Sequence, residues 1–426
     1  MLFLGLMVAL IGLLYLGLPM FAALFLLPLG VLLAVEGGVP ALGEMVIGKL
    51  DGYLLVAIPL FMLMAHVMVR GRVVDDLYGA AFALFRRVRG GVGIATVLAC
   101  TIFAAISGSS VATALTVGKI AIPQMLRYGM SRKGAFGVVA GGGTLGILIP
   151  PSAPMVLYAY VTETSVGALF LAGLVPGLMM AAMFAAYVMI TESRAVVPEG
   201  DPPPEAIGPV MARAGWSMSL PVFVLGGIYM GVFTATEAAG TGTLYALFIA
   251  AVIYRTLTWR DLIAGVQEAT RTSSMLLLII AGAAIYGYML TKLGVPQKLT
   301  GEIAALGLDR TGFLIAMMVL LFILGLVLES FSIILLTMPA ILPAMEVLGI
   351  DKVWYGVLLT LSLEMALISP PVAMNLVVIK AITGAPLSEV NRSIMPYMIM
   401  LAIGTGLLIA FPGIALWLPR QAGYAG

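Results

Sequence analysis

Residues 141–152 read Gly-Gly-Gly-Thr-Leu-Gly-Ile-Leu-Ile-Pro-Pro-Ser, and residues 362–375 read Ser-Leu-Glu-Met-Ala-Leu-Ile-Ser-Pro-Pro-Val-Ala-Met-Asn. Each segment places a Pro-Pro pair inside a long apolar run. Proline has no amide hydrogen and cannot continue a helix without a break. Unwound backbone at membrane depth survives only where it is packed in protein or lines a cavity. Two such breaks in corresponding halves of a chain indicate the binding site of a transporter.

The two segments belong to a duplicated unit. Pro150 and Pro370 lie 220 positions apart, and the same offset relates three further pairs without a gap: Pro123 and Pro343, Gly129 and Gly349, Pro176 and Pro396. Residues 198–209, the one stretch that resembles a soluble linker, fall between the copies. We therefore predict a first repeat at residues 1–195, a cytoplasmic linker at 196–215 and a second repeat at 216–426.

Composition places the chain in a membrane. It is 62% hydrophobic and 10% charged, whereas soluble domains are about 25% charged. The net charge of +2 offers no basic stripe for nucleic acid.

A single cysteine and a single histidine exclude a disulfide framework and the usual Cys/His metal cluster. A metal ion bound here should be a hard cation held by oxygen atoms. No basic region precedes residues 2–4, so the first apolar run is expected to remain as a span.

The apolar runs predict an all-α polytopic fold. Runs of roughly 15 to 22 residues, long enough for a span, lie at 1–15, 19–35, 52–69, 168–190, 216–233, 237–254, 272–290 and 396–418. Broken spans are predicted at 134–161 and 353–380, and re-entrant hairpins at 92–126 and 311–345. Five crossings plus one hairpin per copy is an odd number of crossings. The second repeat must then be inverted relative to the first.

The loop charges give an independent prediction of orientation. Fifteen Lys and Arg residues fall in loops on one predicted side and six on the other, and Lys119 lies within a hairpin. The positive-inside rule makes the richer side cytoplasmic. Both termini are then predicted to be periplasmic. The first hairpin would enter from the cytoplasm and the second from outside.

The first repeat supplies a neutral candidate site. Its hairpin turns at Ser107-Gly108-Ser109-Ser110, where hydroxyl groups lie beside exposed carbonyl groups. The broken helix at 141–152 leaves several carbonyl groups without helical partners. The half-helix that starts after Pro151 directs partial positive charge at the same place, which suits an anion. The alternative interpretation is that these residues only permit tight packing and a kink.

The second repeat supplies an acidic candidate site. Its hairpin tip reads Leu328-Glu329-Ser330-Phe331-Ser332, and Glu364 lies in its broken helix. A charged side chain near the bilayer midplane costs about 2.5 to 3.5 kcal/mol, so both acids should be functional, paired or protonated. We predict a functional role for Glu329. Glu364 is left open between a functional role, capping of an unwound segment and pairing with another helix.

Four other ionisable or reactive residues receive structural predictions. Lys119 should extend toward the cytoplasm rather than attract an organic anion. Glu237 should be an N-terminal helix acid. His66 and Cys100 should be packing residues, because no Ser/His/Asp or Cys/His set can be assembled around them.

Five motifs together resemble the large membrane subunit (M subunit, DctM-like) of tripartite ATP-independent periplasmic (TRAP) transporters. The similarity covers essentially the whole chain. The motifs are residues 103–109 (Phe-Ala-Ala-Ile-Ser-Gly-Ser), 149–155 (Ile-Pro-Pro-Ser-Ala-Pro-Met), 167–173 (Gly-Ala-Leu-Phe-Leu-Ala-Gly), 236–239 (Thr-Glu-Ala-Ala) and 370–376 (Pro-Pro-Val-Ala-Met-Asn-Leu). Any one of these motifs alone would be weak evidence for the resemblance.

The resemblance implies a sodium-driven importer of organic anions with an elevator-type, ion-transporter-superfamily fold in the cytoplasmic (inner) membrane of a bacterium or archaeon. It implies a small four-helix membrane subunit and a periplasmic substrate-binding protein as partners. It also implies two sodium ions and no organic cofactor. The first sodium site would use Ser107, Ser110, Gly146, Ile149 and Pro150. The second would use Gly325, Glu329, Ser369 and Val372.

The substrate is expected between the hairpin tips and the breaks. The candidate residues are Ser109, Ser110, Pro151, Ser152, Ser330, Ser332, Pro371 and Asn375. The mobile part would comprise residues 92–162 and 311–382. The scaffold would comprise residues 1–70 and 216–290, with residues 36–51 and 255–271 as connecting arms. The substrate could be a C4-dicarboxylate, a sugar acid or a sulfonate, since each is an organic anion.

Three alternatives remain open at this point. A stand-alone sodium/carboxylate symporter or sodium/proton antiporter would share the inverted fold and would work without a binding protein. A channel would need a continuous polar path, and the sequence offers only clusters near the midplane. An intramembrane enzyme would need a catalytic set, which the sequence lacks, so the chain is not predicted to be an enzyme.

Overall fold

The computed structural model describes residues 2–39, 42–71, 73–85, 87–192, 207–370 and 373–424. These residues form α1 (Leu2–Tyr15), α2 (Met20–Glu36), α3 (Leu42–Leu50), α4 (Ala57–Arg70), α5 (Val73–Phe85), α6 (Gly91–Ser107), α7 (Ser110–Arg127), α8 (Arg132–Leu148), α9 (Ala153–Thr162), α10 (Val166–Thr191), α11 (Ile207–Tyr229), α12 (Ala235–Phe248), α13 (Trp259–Lys292), α14 (Val295–Ala305), α15 (Arg310–Gly325), α16 (Ser330–Val347), α17 (Lys352–Leu367), α18 (Met374–Thr383), α19 (Leu387–Ala410) and α20 (Gly413–Gln421). The predicted all-α membrane fold is confirmed.

The helix boundaries follow the offset of the two proline pairs. α7 and α16 begin at Ser110 and Ser330, and α8 and α17 begin at Arg132 and Lys352, each 220 positions apart. Both predicted hairpins are pairs of helices, α6 with α7 and α15 with α16. Both predicted breaks are also present, because α8 and α17 end just before the proline pairs and α9 and α18 begin just after them.

Seven helical segments of the described chain are long and apolar enough to cross a membrane. They are Tyr53–Arg70, Arg132–Thr162, Val166–Thr191, Ala235–Ile253, Trp259–Lys292, Ser330–Val347 and Leu387–Ala410. The predicted spans at 1–15 and 19–35 form α1 and α2, which are apolar but shorter, with 14 and 17 residues. The run at 396–418 is divided between α19 and α20.

The second predicted arm and the span that follows it form one element. Residues 255–271 are predicted to be a connecting arm and residues 272–290 a span, and Trp259–Lys292 is one helix of 34 residues. Thr258 starts it with a capping box in which Asp261 is the partner. The helix continues because no proline or glycine pair interrupts residues 259–292. The first arm contains the short helix α3.

α8 lies at the centre of the helices that carry the candidate site. It packs against α6, α7, α10 and α19, and every residue from Ala135 to Leu148 is buried. Three glycines permit this. A Cβ added at Gly137 or Gly141 would lie 2.5 Å from the Ser393 carbonyl oxygen or 2.2 Å from the Tyr397 ring, and one at Gly142 would lie 2.8 Å from the Cys100 sulfur. Small residues in membrane helices allow such close approach.

The structural predictions for the ionisable residues have different outcomes. Glu237 forms a capping box with Thr234, so its role at a helix start is confirmed. Cys100 is fully buried, which confirms its packing role. Lys119 is exposed. A packing role is wrong for His66, because its Nδ1 lies 3.3 Å from Oε2 of Glu268.

The contact of His66 belongs to a polar cluster between α4 and α13. Arg70 Nη2 lies 3.1 Å from Glu268 Oε2, and Arg70 Nη1 lies 3.9 Å from Asp261 Oδ1. The apolar run around His66 gave no sign of this cluster, because its acidic partners lie about 200 positions away. The cluster ties the start of the long helix α13 to the end of α4.

Candidate functional site

Both hairpin tips and both breaks meet at one cavity of about 250 Å³. The first hairpin contributes residues 106–111 and the second contributes residues 329–331. The first break contributes Ile147, Pro151, Ala153 and Pro154, and the second contributes Leu367 and Met374. Phe61 and Met62 of α4 and Thr272 of α13 complete the lining. Segments that are far apart in the sequence thus surround a single space.

A larger cavity lies elsewhere in the molecule. It has a volume of about 520 Å³ and is lined by residues of α3, α9, α13 and α16, among them Lys49, Tyr160 and Tyr288. None of the predicted site residues lines it, and neither a hairpin tip nor a helix break reaches it. We therefore build the candidate site at the smaller cavity.

Four helices begin at the cavity. The first residues of α7, α9, α16 and α18 are Ser110, Ala153, Ser330 and Met374, and all four line it. The first turn of a helix has amide groups without intrahelical partners, and the helix dipole places partial positive charge there. Four such ends around one space create a site that favours negative charge.

Only one charged side chain lines the cavity among the described residues. It is that of Glu329, at the second hairpin tip, and none of the lining residues is Lys, Arg or His. An anion held here would therefore be bound by amide and hydroxyl groups. Lys119 does not line the cavity.

The first hairpin tip is tightly ordered by its hydroxyl groups. Ser107 Oγ lies 2.8 Å from Thr113 Oγ1. The carbonyl oxygen of Ser109 accepts hydrogen bonds from Thr113 Oγ1 at 2.8 Å and from Ser107 Oγ at 3.3 Å. Gly108 turns the chain with φ of 58°, in the left-handed region that favours glycine. The tip thus gathers several oxygen atoms in a fixed arrangement.

The first tip lies directly against the first break. A Cβ added at Gly108 would lie 2.6 Å from the Pro151 carbonyl oxygen. One added at Gly146 would lie 2.4 Å from the Ser109 carbonyl oxygen and 2.7 Å from the Ser110 nitrogen. Only glycine permits this approach, so both positions bring backbone oxygen atoms of the tip and the break together.

Glu364 connects the two repeats beneath the cavity. Its side chain is fully buried in α17. Its Oε1 accepts a hydrogen bond from the Ile147 amide at 3.1 Å, and its Oε2 accepts one from Ser110 Oγ at 3.2 Å. Nδ2 of Asn375 donates to the same Ser110 Oγ at 3.0 Å. Of the roles left open for Glu364, pairing with another helix is the one observed.

The second tip packs against α17 in a similar way. A Cβ added at Gly325 would lie 2.4 Å from Cβ of Ala366. The hydroxyl group of Ser369 donates to the Met365 carbonyl oxygen of its own helix at 2.7 Å. Two predicted site residues, Pro371 and Val372, lie outside the described residues.

The predicted substrate residues divide into two groups. Ser109, Ser110, Pro151 and Ser330 line the cavity. Ser152, Ser332 and Asn375 are buried next to it but do not line it. The prediction of their direct contact with a substrate therefore has no geometric support from the cavity lining.

Sequence reasoning missed several lining residues. Phe61, Met62 and Thr272 belong to α4 and α13, outside the motifs, and only the polarity of Thr272 distinguished it from its surroundings. It also missed the amide of Ile147 as a partner of Glu364, since the two residues are 217 positions apart.

The oxygen atoms at the first break suit a small hard cation. Pro150 and Pro151 have no amide hydrogen, so the carbonyl groups of Gly146 and Ile147 lose their helical donors. Ser152 Oγ, next to the first break, is one of several buried side-chain atoms without a hydrogen-bond partner within the described structure. Unwound carbonyl groups and hydroxyl groups are the ligands that bind Na⁺ in transporters with broken helices.

Comparison with known proteins agrees with this architecture. Residues 7–414 match the family model of the tripartite ATP-independent periplasmic transporter, DctM component. The C4-dicarboxylate TRAP transporter large permease protein DctM of Pseudomonas aeruginosa is 39% identical over 376 residues, which are 88% of each chain. The sialic acid TRAP transporter large permease protein SiaM of Vibrio cholerae is 31% identical over 96% of each chain.

A solved structure supports the fold at much lower sequence identity. The Alcanivorax borkumensis YdaH transporter superposes with a TM-score of 0.62 and 16% identity, covering 88% of this chain and 87% of that one. This likeness concerns the arrangement of the helices alone.

Proposed function

The chain belongs to the DctM component family of tripartite ATP-independent periplasmic transporters, and we propose that it imports an organic anion together with sodium ions. The observation that carries the proposal is the convergence of four helix N-termini and two helix breaks on one cavity. A transporter, unlike an enzyme, needs a site that binds and releases its ligand unchanged. The relatives named above are permeases of a C4-dicarboxylate and of sialic acid.

The substrate would lie between the two hairpin tips. The carboxylate or sulfonate group would accept hydrogen bonds from first-turn amide groups of α7, α9, α16 and α18 that have no intrahelical partner. Hydroxyl groups of Ser109 and Ser330 line the same space and can supply further donors, whereas the hydroxyl hydrogen of Ser110 is donated to Glu364. The absence of a basic side chain from the described lining makes the helix ends the main source of positive potential.

Two sodium ions would lie beside the breaks. At the first break the ligands would be oxygen atoms of Ser107, Ser110, Gly146, Ile149 and Pro150. At the second they would be oxygen atoms of Gly325, Glu329, Ser369 and Val372, which include the one carboxylate of the lining. The close approach at Gly146 and the unpaired carbonyl groups of the first break support the first site. A bound sodium ion supplies positive charge next to the anion and holds tip and break together.

Transport would follow an elevator mechanism. The hairpins and broken helices, α6 to α9 and α15 to α18, would move together with the substrate. α4, α12 and α13 would belong to the scaffold, together with α1 and α2. Phe61, Met62 and Thr272 line the cavity from the scaffold side, and the mobile helices would slide past these three residues.

The protein would work with two partners in the cytoplasmic membrane. The family implies a small membrane subunit and a periplasmic binding protein that delivers the substrate. The loop charges support a periplasmic position for both termini. A carrier of the same fold that acts alone would need neither partner, and this difference can be measured.

Uptake in proteoliposomes tests the proposal. All three subunits would be reconstituted, and the labelled ligand of the binding protein encoded beside this chain would be supplied outside. We expect uptake with an inward sodium gradient and none when potassium replaces sodium. Equal uptake in potassium would contradict sodium coupling. Uptake without the binding protein would favour the stand-alone carrier.

A further inference from the structure

Ser110 is bonded to both halves of the second broken helix. Its hydroxyl group donates to Glu364, in α17 before the break, and accepts from Asn375, in α18 after it. Ser110 itself is the first residue of α7, the second helix of the first hairpin. One hydroxyl group from the first repeat is thus held from both sides of the break in the second repeat.

The side chains that form these bonds are buried. Glu364 and Asn375 are fully buried, and Ser110 is 2% exposed. Glu364 also accepts from the Ile147 amide, so it joins the first hairpin, the first break and the second broken helix. Leaving a buried polar group without its hydrogen-bond partner costs free energy. The spacing of α17 and α18 and the position of Ser110 therefore depend on each other.

We infer that the triad of Glu364, Ser110 and Asn375 couples the two sodium sites, so that filling one site raises the affinity of the other. The inference rests on the proposed sodium coupling. Ser110 belongs to the proposed first site, whereas α17 ends and α18 begins at the proposed second site. An ion that fixes α17 relative to α18 also fixes both partners of Ser110. By thermodynamic linkage the effect is the same in both directions.

Sodium binding to the purified chain tests the inference without transport. Binding would be followed by isothermal titration calorimetry and by the rise in melting temperature with sodium concentration. We expect a Hill coefficient approaching about 2 in the wild type, the number of coupled sites. Asn375→Leu keeps the shape of the side chain but removes the donor to Ser110. Glu364→Gln keeps an acceptor for the Ile147 amide and serves as a second variant if Asn375→Leu does not fold.

In both variants we expect the Hill coefficient to fall toward about 1 and the half-saturating sodium concentration to rise by about fivefold or more. Ser362→Ala is the matched control. Ser362 lies on the same helix, is equally buried and donates to Met318 Sδ instead. Its sodium binding should equal that of the wild type.

Two results would overturn the inference alone: binding without cooperativity in the wild type, or unchanged cooperativity in folded variants. A wild type that binds no sodium by either method would overturn the proposed function and the inference together. The uptake experiment in potassium separates these cases, because it tests sodium dependence independently of cooperativity.

Discussion

Gly146 is the residue whose surroundings best support the proposed first sodium site. The added Cβ of any other residue would overlap the Ser109 carbonyl oxygen at 2.4 Å. Because Pro150 cannot donate to the carbonyl of Gly146, the same residue also offers an unpaired oxygen. Close approach and free carbonyl thus occur together, which is the combination that a small cation site requires.

Gly146→Ala should disrupt the first site. The obstacle is backbone rather than a flexible side chain, so the tip must move away, at a cost of about 1 to 3 kcal/mol for an overpacked position. We expect sodium-driven uptake to fall by about fivefold to a hundredfold, as that energy range implies. Gly30→Ala, in α2, is the control because nothing lies within 4 Å of its added Cβ. Wild-type uptake by folded Gly146→Ala would contradict the account.

Glu329→Gln tests the one charged side chain of the described lining. The substitution keeps size and removes the negative charge, which should weaken sodium binding at the second site. Since hydrogen bonds or ion contacts to charged groups contribute about 1.5 to 3 kcal/mol, the half-saturating sodium concentration for uptake should rise by about tenfold or more.

Glu346→Gln provides the control for this prediction. Glu346 lies on the same helix, α16, but is exposed and pairs with Lys352 at 3.0 Å. Surface ion pairs of this kind contribute little to stability. The sodium dependence of uptake by the Glu346→Gln variant should therefore match that of the wild type. An identical sodium dependence in Glu329→Gln would remove Glu329 from the site.

The contacts that could not be predicted from the sequence join residues that lie far apart along the chain. Glu364 attracted attention as a buried acid, but its partners Ser110 and Ile147 lie 254 and 217 positions away. Sequence motifs describe residues that are neighbours along the chain. These contacts join a residue of the second repeat to residues of the first, so no motif contains both partners. The hairpin tip at Ser107 and the approach of the break at Gly146 could be anticipated because each residue stands in a local pattern of glycine, serine and proline; their role as sodium ligands stays a prediction.

At the level of elements, α8 is the helix that positions the site. It is buried from Ala135 to Leu148 and ends at the first break. Its glycines face α19 and α6, where side chains of neighbouring helices fill the space. The break could be predicted because proline chemistry is local. The continuity of α13 could not, since its polar first part and apolar second part read as two separate elements.

Gly141→Ala should destabilise the packing of α8 on α19. The added Cβ would lie 2.2 Å from the buried Tyr397 ring. We expect a loss of about 1 to 3 kcal/mol in stability, seen as a lower melting temperature in detergent. Tyr397→Leu in the same chain should recover part of the loss, and the coupling can be measured by a double-mutant cycle.

The control for α8 is Gly406→Ala, in α19 itself, whose added Cβ meets nothing within 4 Å. It should leave the melting temperature unchanged. If the effects of Gly141→Ala and Tyr397→Leu on stability are additive, the added Cβ does not clash with the Tyr397 ring and the prediction is wrong.

At the level of the whole molecule, two sets of broken helices enclose one site. The 220-residue offset and the all-α fold followed from composition and from the proline pairs. The inversion of the second repeat and the periplasmic position of both termini stay predictions from crossing number and loop charge. The contribution of α4 and α13 to the cavity lining could not be predicted from the sequence. The lining residues of these helices belong to no motif, and only tertiary packing brings them to the site.

The charge carried per cycle sets the driving force. Each net positive charge moved inward gains about 2.3 kcal/mol per 100 mV, which corresponds to roughly fifty-fold accumulation. Two sodium ions with a monoanion carry one such charge. Uptake of a monoanion should therefore increase when the vesicle interior is made negative.

Simultaneous uptake of two labels tests the central claim most directly. Proteoliposomes with all three subunits would receive radioactive sodium and the differently labelled ligand of the binding protein, and both would be counted in the same vesicles. The account predicts that about two sodium ions enter per substrate molecule, as expected for one ion at each break, and that neither label enters without the other. Substrate that accumulates without any entry of sodium would contradict it.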